Sequence, residues 1–198
     1  KADILLGTQM VAKGLNFPGV RLVGVVMADT GLHLPDFRAA ERTFALIVQV
    51  AGRAGRFFPD GEVIVQTYDP QRDAVALACG GRVEEFYEKE LNARRELNFP
   101  PFSRLVRLVF RSASETKTRD AAETAARIIA DSSDPRMMEI LGPAECPLAK
   151  IAANFRCHIL LRGKRLSYMQ QRVRTFLASY KTPSGVYIEV DVDPISLL

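Results

Sequence analysis

The densest chemistry in this chain lies in Gln49-Val50-Ala51-Gly52-Arg53-Ala54-Gly55-Arg56. On a helix, Gln49, Arg53 and Arg56 stand at i, i+4 and i+7 and project from one face. That face presents an amide and two guanidinium forks, whose paired donors match the oxygens of a triphosphate and stabilise charge growing on a transferred group. Gly52 and Gly55 remove side-chain bulk between these groups, so that another surface or a phosphate can approach the backbone. About 35 residues upstream runs Gly7-Thr8-Gln9-Met10-Val11-Ala12-Lys13-Gly14-Leu15-Asn16, directly after an apolar run. A hydroxyl, a lysine and several glycines at the carboxyl end of a parallel strand are placed to offer backbone N–H groups to phosphates.

The elements that must hold these groups are legible as alternating short strands and helices, the pattern of a parallel sheet with helices. Residues 3–8 and 21–28 read as strands, the second apolar on both faces. A helix starts at Pro35-Asp36 and runs towards Gly52 with Phe44, Ile47, Val48 and Val50 inward. A third strand covers 61–68, and 72–98 reads as helical, interrupted at Gly80-Gly81 and stopped by Pro100-Pro101, with Phe86, Leu91 and Leu97 inward. We divide the chain into 1–70, a helical connector 71–101, and 102–198.

The last part changes pattern. It reads strand, helix, strand, strand, helix, strand, the split βαβ or ferredoxin-like order. Ser114 caps the first helix, and Ser167 caps the second. The middle strands cover 137–141 and 155–162, joined by a long loop 142–154, and 186–192 closes the sheet. Charge is divided unevenly: residues 1–100 carry 12 basic and 13 acidic side chains, residues 101–198 carry 15 and 10. The 43 residues from Cys146 to Ile188 contain no acid. Within them Arg162, Lys164, Arg165, Arg172 and Arg174 form one basic surface, with the last two opposite an apolar stripe, and a one-signed surface points to an anionic partner.

Three cysteines, Cys79, Cys146 and Cys157, match neither a disulfide framework nor a zinc spacing, and we expect reduced thiols and no metal. Adjacent Cys157 and His158 point to opposite faces of a strand. Every apolar run is broken before about 18 residues, which excludes a membrane span. The chain opens on Lys1 and reads as part of a longer protein.

Together the two glycine-rich segments resemble motifs V and VI of superfamily 2 helicases: Thr8 falls six residues before Gly14, as the motif V threonine does, and Q-x-x-G-R-x-G-R is motif VI. The resemblance narrows with Leu34-Pro35-Asp36-Phe37-Arg38-Ala39-Ala40-Glu41-Arg42-Thr43, Gln66-Thr67-Tyr68-Asp69-Pro70, Phe99-Pro100-Pro101-Phe102 and Asp191-Val192-Asp193-Pro194-Ile195, which are similar to the bacterial primosomal protein N′ family of PriA-type replication-restart helicases. It implies an α/β chain made of part of the second RecA-like helicase lobe and an α+β, S10-like C-terminal domain. The implied activity is ATP-dependent 3′-to-5′ DNA unwinding that restarts stalled forks and initiates primosome assembly in the cytoplasm.

The resemblance makes Gln49, Arg53 and Arg56 catalytic. It places Gly14, Asn16, Arg53 and Arg56 at the nucleotide, and Thr8, Lys13, Arg162, Lys164, Arg165, Arg172 and Arg174 at nucleic acid. Asn16 stands where the superfamily has an acid, and its amide can still hydrogen-bond a ribose hydroxyl. The implied cofactors are ATP and Mg²⁺, with zinc in a cysteine-rich insertion upstream. The implied partners are forked or single-stranded DNA, the acidic C-terminal tail of single-stranded DNA-binding protein, and primosome proteins. The chain has neither a G-x-x-x-x-G-K-[ST] phosphate loop nor a D-E-x-H segment, so these 198 residues alone are expected to be inactive as an ATPase. Two rival readings remain: a non-enzymatic nucleic-acid-binding module on a degenerate Rossmann-like scaffold, and a related repair translocase.

Overall fold

The computed structural model describes residues 3–8, 19–54 and 61–198. The chain is α/β and divides into two compact units, Lys1–Leu91 and Asn92–Leu198.

In the first unit, β1 (Leu22–Val25) pairs in parallel with β2 (Glu62–Val65), with Leu22 opposite Glu62 and Val25 opposite Val65. Helix α1 (Ala39–Ala54) is amphipathic and buries Phe44, Ile47, Val50 and Ala54 at helical spacing. Two further helices follow, α2 (Asp73–Cys79) and α3 (Val83–Glu96), the latter spanning the boundary between the units. Phe44, Ile47, Val75, Leu77 and Phe86 form the core, with the rings of Phe44 and Phe86 stacked at 3.9 Å.

Three expectations for this unit change. Residues 3–8 form no strand: Ile4 and Leu6 are 89% and 92% exposed, and a strand exists only where a neighbour takes up its backbone groups. The second strand is half-buried on one face and exposed on the other, with Leu22 59% exposed. In α3, Phe86 is buried, but Leu91 meets solvent, as does Leu97 one residue past the helix.

In the second unit, β3 (Arg104–Ser112), α4 (Glu115–Asp131), β4 (Glu139–Ile151), β5 (Asn154–Gly163), α5 (Leu166–Ser179) and β6 (Tyr187–Val192) build a four-stranded sheet of order β4-β5-β3-β6, antiparallel at every step. Both helices pack on one face: Ala122, Ala125 and Ile129 from α4 and Met169, Val173 and Phe176 from α5 meet Leu108, Phe110, Ile159 and Leu161 of the strands. Ser114 caps α4 by accepting from Lys117 N, as its position before the apolar stripe predicts. Ser167 does not cap α5; the N-cap is Arg165, without a side-chain bond.

The long loop expected over 142–154 is also absent. Those residues continue β4 to a two-residue turn, with irregularities between Leu141 and Ala144 and between Glu145 and Lys150. Pro143 and Pro147 resemble loop signals, but β4 is an edge strand, where a missing N–H removes no ladder bond. Gly142 sits at φ +97 in the first irregularity, and a Cβ there would lie 3.0 Å from His158 O.

Candidate nucleotide and nucleic-acid surfaces

The first surface is the end of α1. Gln49 is exposed and Arg53, one turn on, is half-buried, so the two share a face as their spacing requires. Between them a Cβ built on Gly52 meets nothing within 4 Å, and the helix is open to approach at this point. Thr8 is exposed. Lys13, Gly14, Asn16 and Arg56 lie outside the described residues.

The segment leading into α1 is held by charge. Asp36, with its side chain fully buried, lies 3.0 Å from Arg42 Nη1 and accepts from Arg38 N at 2.9 Å, which locks the entry to α1. The helix therefore starts at Ala39, three residues after the expected Asp36. At the carboxyl ends of the two parallel strands, the Asp29 carboxylate accepts from Thr67 Oγ1 at 2.7 Å and from Tyr68 N at 2.9 Å. These bonds, the Thr67 hydroxyl first, hold the Asp29 carboxyl below its usual range and tie the loops after β1 and β2 together. The peptide strings that carried the family resemblance thus clamp the frame from which α1 presents Gln49 and Arg53.

The basic surface of the second unit divides into committed and free-standing charges. Arg162, at the end of β5, has a side chain only 14% exposed. It donates to Glu139 Oε2 from Nε and Nη2, and from Nη1 to Leu97 O at 2.7 Å, while its guanidinium lies 5.3 Å from the Phe99 ring. Arg172 is half-buried and not solvent-facing as its helical position predicts: Nη1 donates to Ser132 O at 2.9 Å and the guanidinium covers Tyr168. Lys164, Arg165 and Arg174 are exposed. The acid that neutralises Arg162 comes from β4, outside the acid-free stretch, through strand pairing.

The sequence reading missed Arg107. It sits in the middle of β3, 3% exposed, and donates from Nε to His158 Nδ1 at 3.1 Å and from Nη1 to Ser196 O and Leu198 O. Burial, then the nearby charges of Arg107 and Arg156, push His158 down to about 4, so it is the neutral acceptor this bond needs. The Arg107 position, a cation flanked by Leu105, Val106, Leu108 and Val109, was the available signal. Cys157 points the other way, into the helix-side core, and burial raises its thiol to about 11, which makes it inert. No helix among the described residues is long and apolar enough to cross a membrane.

Residues 95–195 match the family described as Primosomal protein N C-terminal domain, and the chain belongs to that family. Across its whole length it is 53% identical to the replication restart protein PriA of Treponema pallidum (strain Nichols), covering 100% of this chain and 30% of that protein. It is 40% identical to the proteins of the same name in Borreliella burgdorferi and in Bacillus subtilis (strain 168), covering 99% and 100% of this chain and 30% and 25% of theirs. The chain thus spans less than a third of the length of these relatives.

Proposed function

We propose that this chain is the C-terminal part of an ATP-dependent, 3′-to-5′ DNA helicase that restarts stalled replication forks and initiates primosome assembly in the cytoplasm. The observation that carries the reading is the 53% identity over 198 residues to a protein named replication restart protein PriA. The parallel β1–β2 pair with α1 against it supports part of a RecA-like lobe. The order β4-β5-β3-β6 with both helices on one face supports the ferredoxin-like, S10-like domain.

In this reading Gln49, Arg53 and Arg56 face the triphosphate of ATP·Mg²⁺, whose phosphate loop and acidic metal ligand belong to the rest of the longer protein. The donor set fits: exposed Gln49 and half-buried Arg53 share a face, and the space over Gly52 is open. Arginine donors there neutralise charge developing on the transferred phosphoryl group. Gly14 and Asn16 complete the nucleotide side, and Thr8 and Lys13 the DNA side. Zinc in this reading belongs to a cysteine-rich insertion of the longer protein.

Exposed Lys164, Arg165 and Arg174 supply a basic surface for forked or single-stranded DNA, or for the acidic tail of single-stranded DNA-binding protein. The test is DNA-stimulated ATP hydrolysis by the full-length protein. Arg53→Ala or Arg56→Ala lowers turnover by about a hundredfold or more while nucleotide affinity changes less. Wild-type turnover in either variant at saturating DNA refutes the assignment. The isolated 198 residues show no hydrolysis above background.

A further inference from the structure

The β4–β5 hairpin reaches past the rest of its sheet. Ser112, the last residue of β3, pairs with Phe155, and beyond that point Ile151 and Asn154 pair only with each other. The turn between them is Ala152-Ala153, with φ 46 and 64. A two-residue turn with both residues left-handed favours Asn-Gly, and alanine holds it against its own Cβ. Asn154 Nδ2 donates to Ala152 O at 3.1 Å and braces it.

The tip is apolar as well as strained. Between the pairs Glu145–Cys157 and Lys150–Phe155, β4 has four residues, Cys146 to Ala149, against Arg156 alone. Such a bulge re-aims side chains, and here Leu148 is 53% exposed, and Ile151, at the last pair before the turn, 46%. The two cations nearest the turn are held against the hairpin itself. Lys150 Nζ lies 4.6 Å over the Phe155 ring, and Arg156 Nη1 donates to Leu148 O at 3.3 Å. The neighbouring acid, Glu145, is engaged by Arg119 at 3.4 Å, which also binds Glu115. The result is a hairpin end that extends one residue pair and a two-residue turn past β3 and carries two exposed aliphatic side chains and two cations, at the start of the 43-residue stretch without an acid.

From this geometry we infer that the β4–β5 hairpin is a wedge for double-stranded DNA: Leu148 and Ile151 enter a base step, while Lys150 and Arg156 supply positive charge to the phosphates beside it. Aliphatic side chains that unstack a base step from the minor groove, with cations on the adjoining backbone, are a recurring means of bending a duplex. Lys150 and Arg156 beside these two aliphatic side chains favour this occupant over an apolar protein surface, which would have no use for the cations. The inference rests on the proposed nucleic-acid function, and the experiment separates the two.

The full 198-residue chain is titrated onto a DNA duplex carrying 2-aminopurine at a central TA step, which unstacks readily. Binding is followed by anisotropy and unstacking by fluorescence. The unaltered chain raises 2-aminopurine emission about twofold or more on binding. Leu148→Ser with Ile151→Ser abolishes that rise and weakens binding about tenfold, yet leaves the log–log salt slope unchanged, because about −0.9 per neutralised phosphate comes from the cations alone. Leu148→Met with Ile151→Met keeps the rise, and equal melting temperatures exclude misfolding of the serine variant.

Binding without any rise in emission, or a serine variant that retains the rise, overturns the wedge and leaves the DNA-binding reading standing. No binding to duplex at any salt overturns both. A salt-independent dimer of this chain that the serine pair dissolves, with no change in 2-aminopurine, also overturns the wedge and assigns the tip to self-association.

Discussion

Replacing Gly52 by alanine stabilises this chain and impairs the longer protein, because the structure leaves the space over Gly52 unused. The residue lies within α1, and a Cβ built there meets no atom within 4 Å. Nothing in the described fold requires glycine. Alanine is favoured over glycine in a helix by about 0.5–1 kcal/mol, partly by restricting the unfolded chain. At roughly 4–8 °C per kcal/mol for a unit of this size, the first unit melts about 2–8 °C higher. Calorimetry, with hydrogen exchange of the α1 amides to assign the transition, reads the gain.

In the full-length protein the same methyl group lies on the face proposed to close on nucleotide, next to Arg53. A misplacement of about 1 Å there lowers turnover by on the order of a hundredfold. Loss of stability in the isolated chain would show that the open space is filled after all. A stabilised variant with unimpaired DNA-stimulated hydrolysis would show that nothing approaches this face, and the role given to α1 would fail.

Three further outcomes follow from particular contacts. His158 is held down to about 4 by burial and by Arg107 and Arg156, whereas in the unfolded chain it protonates near 6.5. Its contribution to stability is therefore complete above pH 6.5 and is lost as pH falls towards 4, so His158→Gln flattens urea-denaturation stability across that window. Asp29, Asp134 and Asp193 are lowered from 3.8 by their hydrogen bonds, and their contributions are lost only at lower pH. Ala153→Gly relieves the left-handed turn at φ 64 and raises stability by about 0.5–1 kcal/mol in urea denaturation. Arg162→Ala destabilises the second unit by about 1–3 kcal/mol through its lost charged hydrogen bonds, whereas Lys164→Ala/Arg165→Ala/Arg174→Ala leaves the melt unchanged and flattens the salt slope of DNA binding. The reverse pattern would assign the anion surface to Arg162.

What could be read in advance was local. The Ser114 cap, the stripe Ala122, Ala125 and Ile129, and the shared face of Gln49 and Arg53 follow from spacing within one helix, and the structure has each of them. What escaped depends on distant partners. Residues 3–8 look like a strand because Ile4-Leu5-Leu6 is apolar, but pairing makes a strand and apolarity does not. β4 was hidden by Gly142, Pro143 and Pro147, whose tolerance depends on its being at the edge of the sheet. The engagement of Arg162 by Glu139, of Arg172 by Ser132, and of Arg107 by His158 each joins different elements, so composition showed the charge and the fold decided which cations stay available.

In the proposed function α1 supplies the arginine half of an ATPase site that drives DNA unwinding. Its most direct test is steady-state ATP hydrolysis by the full-length protein on forked DNA, with Arg53→Ala measured beside the unaltered protein at saturating nucleotide. The expected result is DNA-dependent hydrolysis in the unaltered protein and a loss of about a hundredfold in turnover in the variant, with nucleotide binding largely retained. Equal turnover in both, or no hydrolysis by the unaltered protein on any fork, would contradict it.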